Sequence, residues 1–191
     1  MENMSQLRTL SEAQMLALWE QIMHLDAVRR ECTVERDDGI DIDALLLTHI
    51  SQWYAHLLAT APVEWLPVDD VKADVTMTAD SIGVVTAIVP ARCVRPVEWK
   101  LSGWQCSVTQ FLNPDDDEAR LQRDTWLRAG KCHPAVVDCG NRLLLYSIDT
   151  DATPVLDIAR CVVRPADGSY IFHNEAIASI PDYENGYPSL L

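Results

Sequence analysis

The spacing of apolar residues changes once along this chain, at Pro67, and that change limits the possible folds more than any other feature. Before it, apolar side chains recur at helical intervals; after it, they alternate as strands require. Helices first and strands second argue for an α+β fold with antiparallel sheets rather than a βαβ repeat. The expected architecture is an N-terminal helical hairpin over residues 1–66, packed on an antiparallel β-rich domain over residues 67–191. One short helix is inserted in that domain, and its C-terminal tail is expected to be flexible. With 191 residues, 48 % of them apolar, the chain has enough material for one such core.

The first helix is expected over residues 11–31. Ser11 and Gln14 form a capping box, Leu10 and Met15 sit at staple spacing, and Met15, Leu18, Trp19, Ile22 and Leu25 share one face. A turn follows from Glu35 to Gly39. The second helix starts near Asp41 or Asp43, whose charge suits a helix N-terminus. It buries Leu46, Ile50, Trp53, Tyr54, Leu57 and Leu58 and stops at Ala61-Pro62, because the residue before a proline leaves helical space.

Beyond Pro67, Val71, Ala73, Val75 and Met77 alternate with polar residues, which predicts a strand with one wet face. Further strands are expected at Val84 to Val89, Val94 to Leu101, Gln105 to Leu112 and Val155 to Val163. Ala135 to Asp138 and Arg142 to Ile148 flank Cys139-Gly140-Asn141 as a hairpin. Asp116 to Trp126 is the inserted helix. Tyr170 to Ile180 fits either a strand or a helix, and Asp182 to Leu191 reads as an arm.

Acidic residues number 29 against 15 Lys and Arg, a net charge of -14. Residues 1–70 alone carry 13 acidic and 4 basic side chains. Gripping nucleic-acid phosphates needs clustered cations, so sequence-specific nucleic-acid binding is not expected. No apolar run approaches the ~20 residues of a membrane span, and no membrane association is expected. The first residues lack a basic stretch followed by an apolar core, so no secretion signal is expected. The six cysteines, Cys32, Cys93, Cys106, Cys132, Cys139 and Cys161, are accordingly expected to be reduced thiols.

Local clusters suggest little chemistry. Cys132-His133, with Cys139 seven positions after Cys132, lacks the paired short spacing of a zinc site. Neighbours on a strand face opposite sides, which separates a Cys132 nucleophile from a His133 base. His49 and His56 sit seven apart on one helix face, which is not by itself a ligand spacing, and His24 and His173 stand alone in the sequence. The acidic pairs, Asp41 with Asp43 among them, lack the ligand order and closing glutamate of a calcium loop. Phosphate-cradling glycine loops and the common hydrolase motifs are absent. No catalytic residue, cofactor or metal is expected. Trp99, Trp104 and Trp126, with Arg123 and Arg128 nearby, form the candidate interface, since tryptophan beside arginine typifies contact hot spots.

One longer pattern adds to this. Ile88-Val89-Pro90 leads into Arg92 and Arg95, followed by Leu101-Ser102-Gly103-Trp104 and Val108-Thr109. Leu121-Gln122, Arg128-Ala129-Gly130, Pro134-Ala135-Val136-Val137 and Leu144-Leu145-Tyr146 come next, with Asp41, Ile42 and Trp53 in the preceding helices. In this order, over about two-thirds of the chain, the sequence resembles virion neck proteins of crAss-like phages and related Bacteroidetes prophages. The resemblance implies a non-enzymatic head–tail connector: a ring of identical subunits between portal and tail proteins, located in the virion and assembled in the host cytoplasm. The cysteines and the tyrosine-rich tail depart from the pattern. The other readings are a small cytosolic thiol-dependent enzyme centred on Cys132 and His133, and an adaptor domain binding a partner through a sheet edge.

Overall fold

The computed structural model describes residues 7–23, 42–80, 83–146, 153–166 and 168–186. The fold is α+β. The chain forms two compact units, one from residues 1–67 and 165–191, the other from residues 68–164. Residues 165–191, expected with the β-rich part, therefore belong with the N-terminal helices. The physical reason is a strand pair that joins distant parts of the sequence.

In the first unit, β1 (Arg8–Leu10) runs antiparallel to β9 (Tyr170–Phe172), with Arg8 opposite Phe172 and Leu10 opposite Tyr170. Helix α1 (Glu12–Ile22) follows β1 directly. Its capping box is in place: Gln14 N–H donates to Ser11 Oγ at 3.3 Å, and Ser11 N–H donates to Gln14 Oε1 at 3.0 Å. These two bonds satisfy donors that a helix start otherwise leaves open. Helix α2 (Ile42–Thr60) buries Ile50, Trp53, Tyr54, Leu57 and Leu58. The part of the expected first helix beyond residue 23, and the Glu35 to Gly39 turn, lie outside the described residues.

Aromatic rings hold this unit together. Trp53 meets Trp19 of α1 edge-on at 5.7 Å and Phe172 of β9 at 5.5 Å, while Tyr54 meets Tyr170 at 5.1 Å. Such edge-to-face pairs add to the gain from burial itself. The Tyr54 hydroxyl donates to Ile171 O and accepts from Ile171 N–H, both at 3.0 Å, so a side chain of α2 completes the backbone bonding of β9. After β9 the chain turns through a short 3-10 helix (Asn174–Ala178) into a last helix, Ser179–Gly186. Most of the segment that fitted either a strand or a helix is thus one after the other. Residues 187–191 of the expected arm lie outside the described residues.

The second unit holds two antiparallel sheets. One has the order β2 (Val68–Asp70), β8 (Leu156–Val163), β5 (Cys93–Leu101). The other has the order β3 (Thr76–Ala79), β4 (Val85–Ile88), β7 (Arg142–Leu145), β6 (Val136–Asp138). Trp99, Leu101 and Ala159 from the first sheet share one core with Val85, Ala87, Leu143 and Leu145 from the second. Strand β5 carries Pro96 and shifts register three times along β8, consistent with a proline tolerated at an edge strand with bulges. The hairpin between β6 and β7 is the expected one. Gly140 takes φ +83° at its tip, where its N–H donates to Asp138 Oδ1 at 2.8 Å.

Two expected strands are corrected. The alternation from Val71 to Thr78 is interrupted, because Lys72 N–H donates to Asp70 Oδ1 and Asp74 N–H to Val71 O, which makes a turn. Only Thr76–Ala79 remains as strand. Gln105 to Leu112 contributes just two isolated bridges, Trp99 with Val108 and Leu112 with Val137. The inserted helix is also shorter than expected, covering Asp117–Leu121.

Candidate functional site

The segment after that short helix is built around Gln122, which is buried. Its Oε1 accepts Ala129 N–H at 2.8 Å, its backbone oxygen accepts Arg128 Nε–H at 3.0 Å, and its Nε2 donates to Glu118 O at 3.2 Å. These bonds tie residue 122 to residues 128 and 129, so the chain between them must bulge outward. Within the bulge, Asp124 Oδ1 accepts Trp126 N–H at 2.9 Å, the short side-chain turn that aspartate favours. Leu127 N–H donates to Asp124 O at 3.2 Å. Trp126 thus projects from a loop held at both its base and its tip.

Its exposure is extreme. Trp126 is 95 % exposed, with Leu127 at 59 % and Leu121 at 47 % beside it. Arg123 is exposed, while Arg128 is half-buried with its guanidinium 5.5 Å from the centre of the Tyr146 ring. Burial raises the Tyr146 phenol above its ordinary value, against the pull of Arg128 and Arg123. From residue 119 to 131 the chain carries Arg120, Arg123, Arg128 and Lys131 against Asp124 alone. The loop thus presents an apolar tip whose sequence neighbours are mostly basic.

Of the other candidate interface residues, Trp99 is 0 % and Trp104 is 4 % exposed. Both belong to the core shared by the two sheets, so the expectation that they form part of a contact surface is corrected. The buried Trp99 indole N–H makes no hydrogen bond among the described residues. Leu121, Gln122 and Leu127 were missed as site residues. An uncharged glutamine in an arginine-rich stretch was the available signal for the loop's anchor.

The cysteines divide by environment. Burial pushes the Cys161 thiol up to about 12 and raises Cys93 as well. Cys106 and Cys132 are exposed, and the Cys106 thiol donates to Cys132 O at 3.3 Å. His133 lies in the same turn, where its N–H donates to Gly130 O at 3.0 Å; no hydrogen bond joins its ring to the Cys132 sulfur among the described residues. Cys139 is half-buried, and Cys32 lies outside the described residues. Among the described residues no group of three or more His, Cys, Asp or Glu side chains is placed to hold a metal ion. No helix among them is long and apolar enough to cross a membrane.

A maleimide at neutral pH is expected to modify Cys106 and Cys132 in the folded chain and to spare Cys161 until denaturant is added. Peptide mass mapping reads the result, and modification of all three at one rate would contradict the burial of Cys161. Stability should also fall in alkali. The unfolded chain ionises this thiol above its ordinary 9.0, whereas the folded chain keeps it neutral to about 12.

The first unit contains a cleft of about 330 Å³ that the sequence did not announce. Trp53, Leu57 and Ala61 of the α2 region form its buried wall, Trp65 and Tyr183 flank it, and His56 and Thr60 lie exposed at its rim. The His56 and Tyr183 rings are 5.8 Å apart. Helical periodicity places Trp53 and Leu57 in helix packing alone, while Trp65, Ser179 and Tyr183 come from later segments whose arrival no local pattern signals.

No protein-family model matches the chain, and no curated protein matches it.

Proposed function

We propose that this chain is a non-enzymatic structural protein, a subunit of a head–tail connector ring in a phage or prophage virion. The observation that carries the assembly reading is the braced loop at residues 122–129, which holds Trp126 in water at 95 % exposure. A free tryptophan leaves about 150–250 Å² of largely apolar surface in contact with solvent. Its burial at the centre of a contact is a common source of hot-spot energy, about 2 kcal/mol or more. The loop is braced before it binds, so little ordering entropy is lost on docking. The sequence resemblance supports the virion setting, with portal or tail proteins as further neighbours and assembly in the host cytoplasm. The acidic surface is compatible with DNA passing without adhering.

Mass photometry across a concentration series tests this reading. The protein is expected to form oligomers, and Trp126→Ala should weaken self-association about 30-fold or more, which corresponds to the loss of one hot spot. Because the residue is exposed, the same substitution should change folding stability by no more than about 0.5 kcal/mol. A wild-type protein that stays monomeric throughout, or one absent from purified particles, would overturn the proposal.

A further inference from the structure

We infer that the loop carrying Trp126 in one copy of this chain docks into the first-unit cleft of a second copy, making a head-to-tail contact. This rests on the assembly reading above and names the two surfaces that meet. The knob is an apolar tip that stands in water. At about 330 Å³ the cleft lies at the lower end of ligand-pocket volumes, suited to a large side chain and its neighbours rather than an extended cofactor. Its walls are aromatic and aliphatic: Trp53, Leu57, Ala61, Trp65 and Tyr183. An inserted indole would find ring edges and faces there, the arrangement aromatic groups prefer.

Charge selects a second copy as the occupant. The unit that holds the cleft carries 15 acidic and 4 basic side chains, while the unit that holds the knob carries 14 and 11. Arg120, Arg123, Arg128 and Lys131 all lie within six residues of Trp126 in the chain. Glu64, which is exposed, precedes Trp65 at the cleft. The strongly acidic unit that holds the cleft attracts the basic stretch that carries the knob across copies, and two cleft-bearing units repel each other. Knob and cleft are different patches, so the contact is heterologous. A chain of subunits then keeps one unused knob at one end and one unused cleft at the other, and such contacts close into rings where the rotation permits.

Two defective proteins test this. Trp126→Ala lacks the knob and keeps the cleft. Thr60→Trp, at an exposed rim position, fills the cleft and keeps the knob; His56→Arg, also exposed, blocks it by charge if the first variant folds poorly. Each alone is expected to self-associate about 30-fold more weakly than the wild type. Mixed in equal amounts, the knobless and cleft-blocked proteins should form a dimer containing one of each and nothing larger, because only one intact contact remains. Native mass spectrometry, with one variant carrying a mass tag, reads this directly. If cleft-blocked proteins assemble like the wild type while Trp126→Ala does not, the inference falls and the assembly reading stands. A mixture that yields no mixed dimer also overturns the inference, pointing to a two-fold contact between like surfaces. A wild type that is monomeric throughout removes both.

Discussion

Trp99→Ala is expected to destabilise the second unit by about 3–5 kcal/mol, the range for deleting a large aromatic side chain from a packed core. Trp99 has no exposed surface and lies among residues of both sheets, including Val108, with which it exchanges two backbone hydrogen bonds of 2.9 and 2.8 Å. Removing it leaves a cavity that the two sheets can close only by shifting toward each other. Single domains are stable by only about 5–15 kcal/mol, so a loss of this size takes a large share of the total. Urea titration followed by far-UV circular dichroism checks it, and a loss below about 1 kcal/mol would show that the residue does not belong to the core. The contrast with Trp126→Ala is the informative part. One tryptophan should affect folding with assembly lost as a consequence, the other assembly with folding retained.

Phe172→Ala should damage the first unit to a similar extent, about 3–5 kcal/mol. Phe172 is fully buried and faces Trp53 edge-on at 5.5 Å. It sits on β9, whose neighbouring residue Ile171 exchanges both of its backbone hydrogen bonds with the Tyr54 hydroxyl. Loss of the ring therefore loosens α2 and the β1–β9 pair together. Hydrogen exchange resolved by segment provides the measurement. Amides of α2 should exchange about two to four powers of ten faster, following the lost free energy wherever local opening limits protection. Unchanged α2 protection would mean that the helix is held without β9.

How much of this was legible in the sequence depends on how far apart in the chain the interacting groups lie. The Ser11–Gln14 cap and the buried residues Ile50, Trp53, Tyr54, Leu57 and Leu58 follow local rules, and the structure places them as expected. The hairpin at Gly140 is likewise local. The pairing of Leu10 with Tyr170 was not legible, because no periodicity records which strand meets which across so long a separation. Trp99 shows a different limit. Nearby arginines and turns suggested a surface, but the direction of a side chain on a bulged strand is set by the register with β8. At Val71 to Thr78 the alternation was real, yet Asp70 captured the Lys72 amide and turned the chain. Trp126 stands out of the core because Gln122 ties off the loop beneath it, a use of glutamine that composition does not reveal.

The β1–β9 pair has a consequence for biosynthesis. Residues 68–164 are an insertion between two stretches that build one unit, and their own sheets can close before the later stretch has been translated. Helices α1 and α2 leave the ribosome with Trp53 and Tyr54 uncovered on the side that β9 later meets, and Tyr170 and Phe172 follow only about 110 residues later. At 5–20 residues per second that interval lasts roughly 5 to 20 seconds. For that time the nascent chain displays a sticky aromatic face, so the half of the protein made first is the half that matures last, and it is there that a ribosome-associated chaperone would find its substrate.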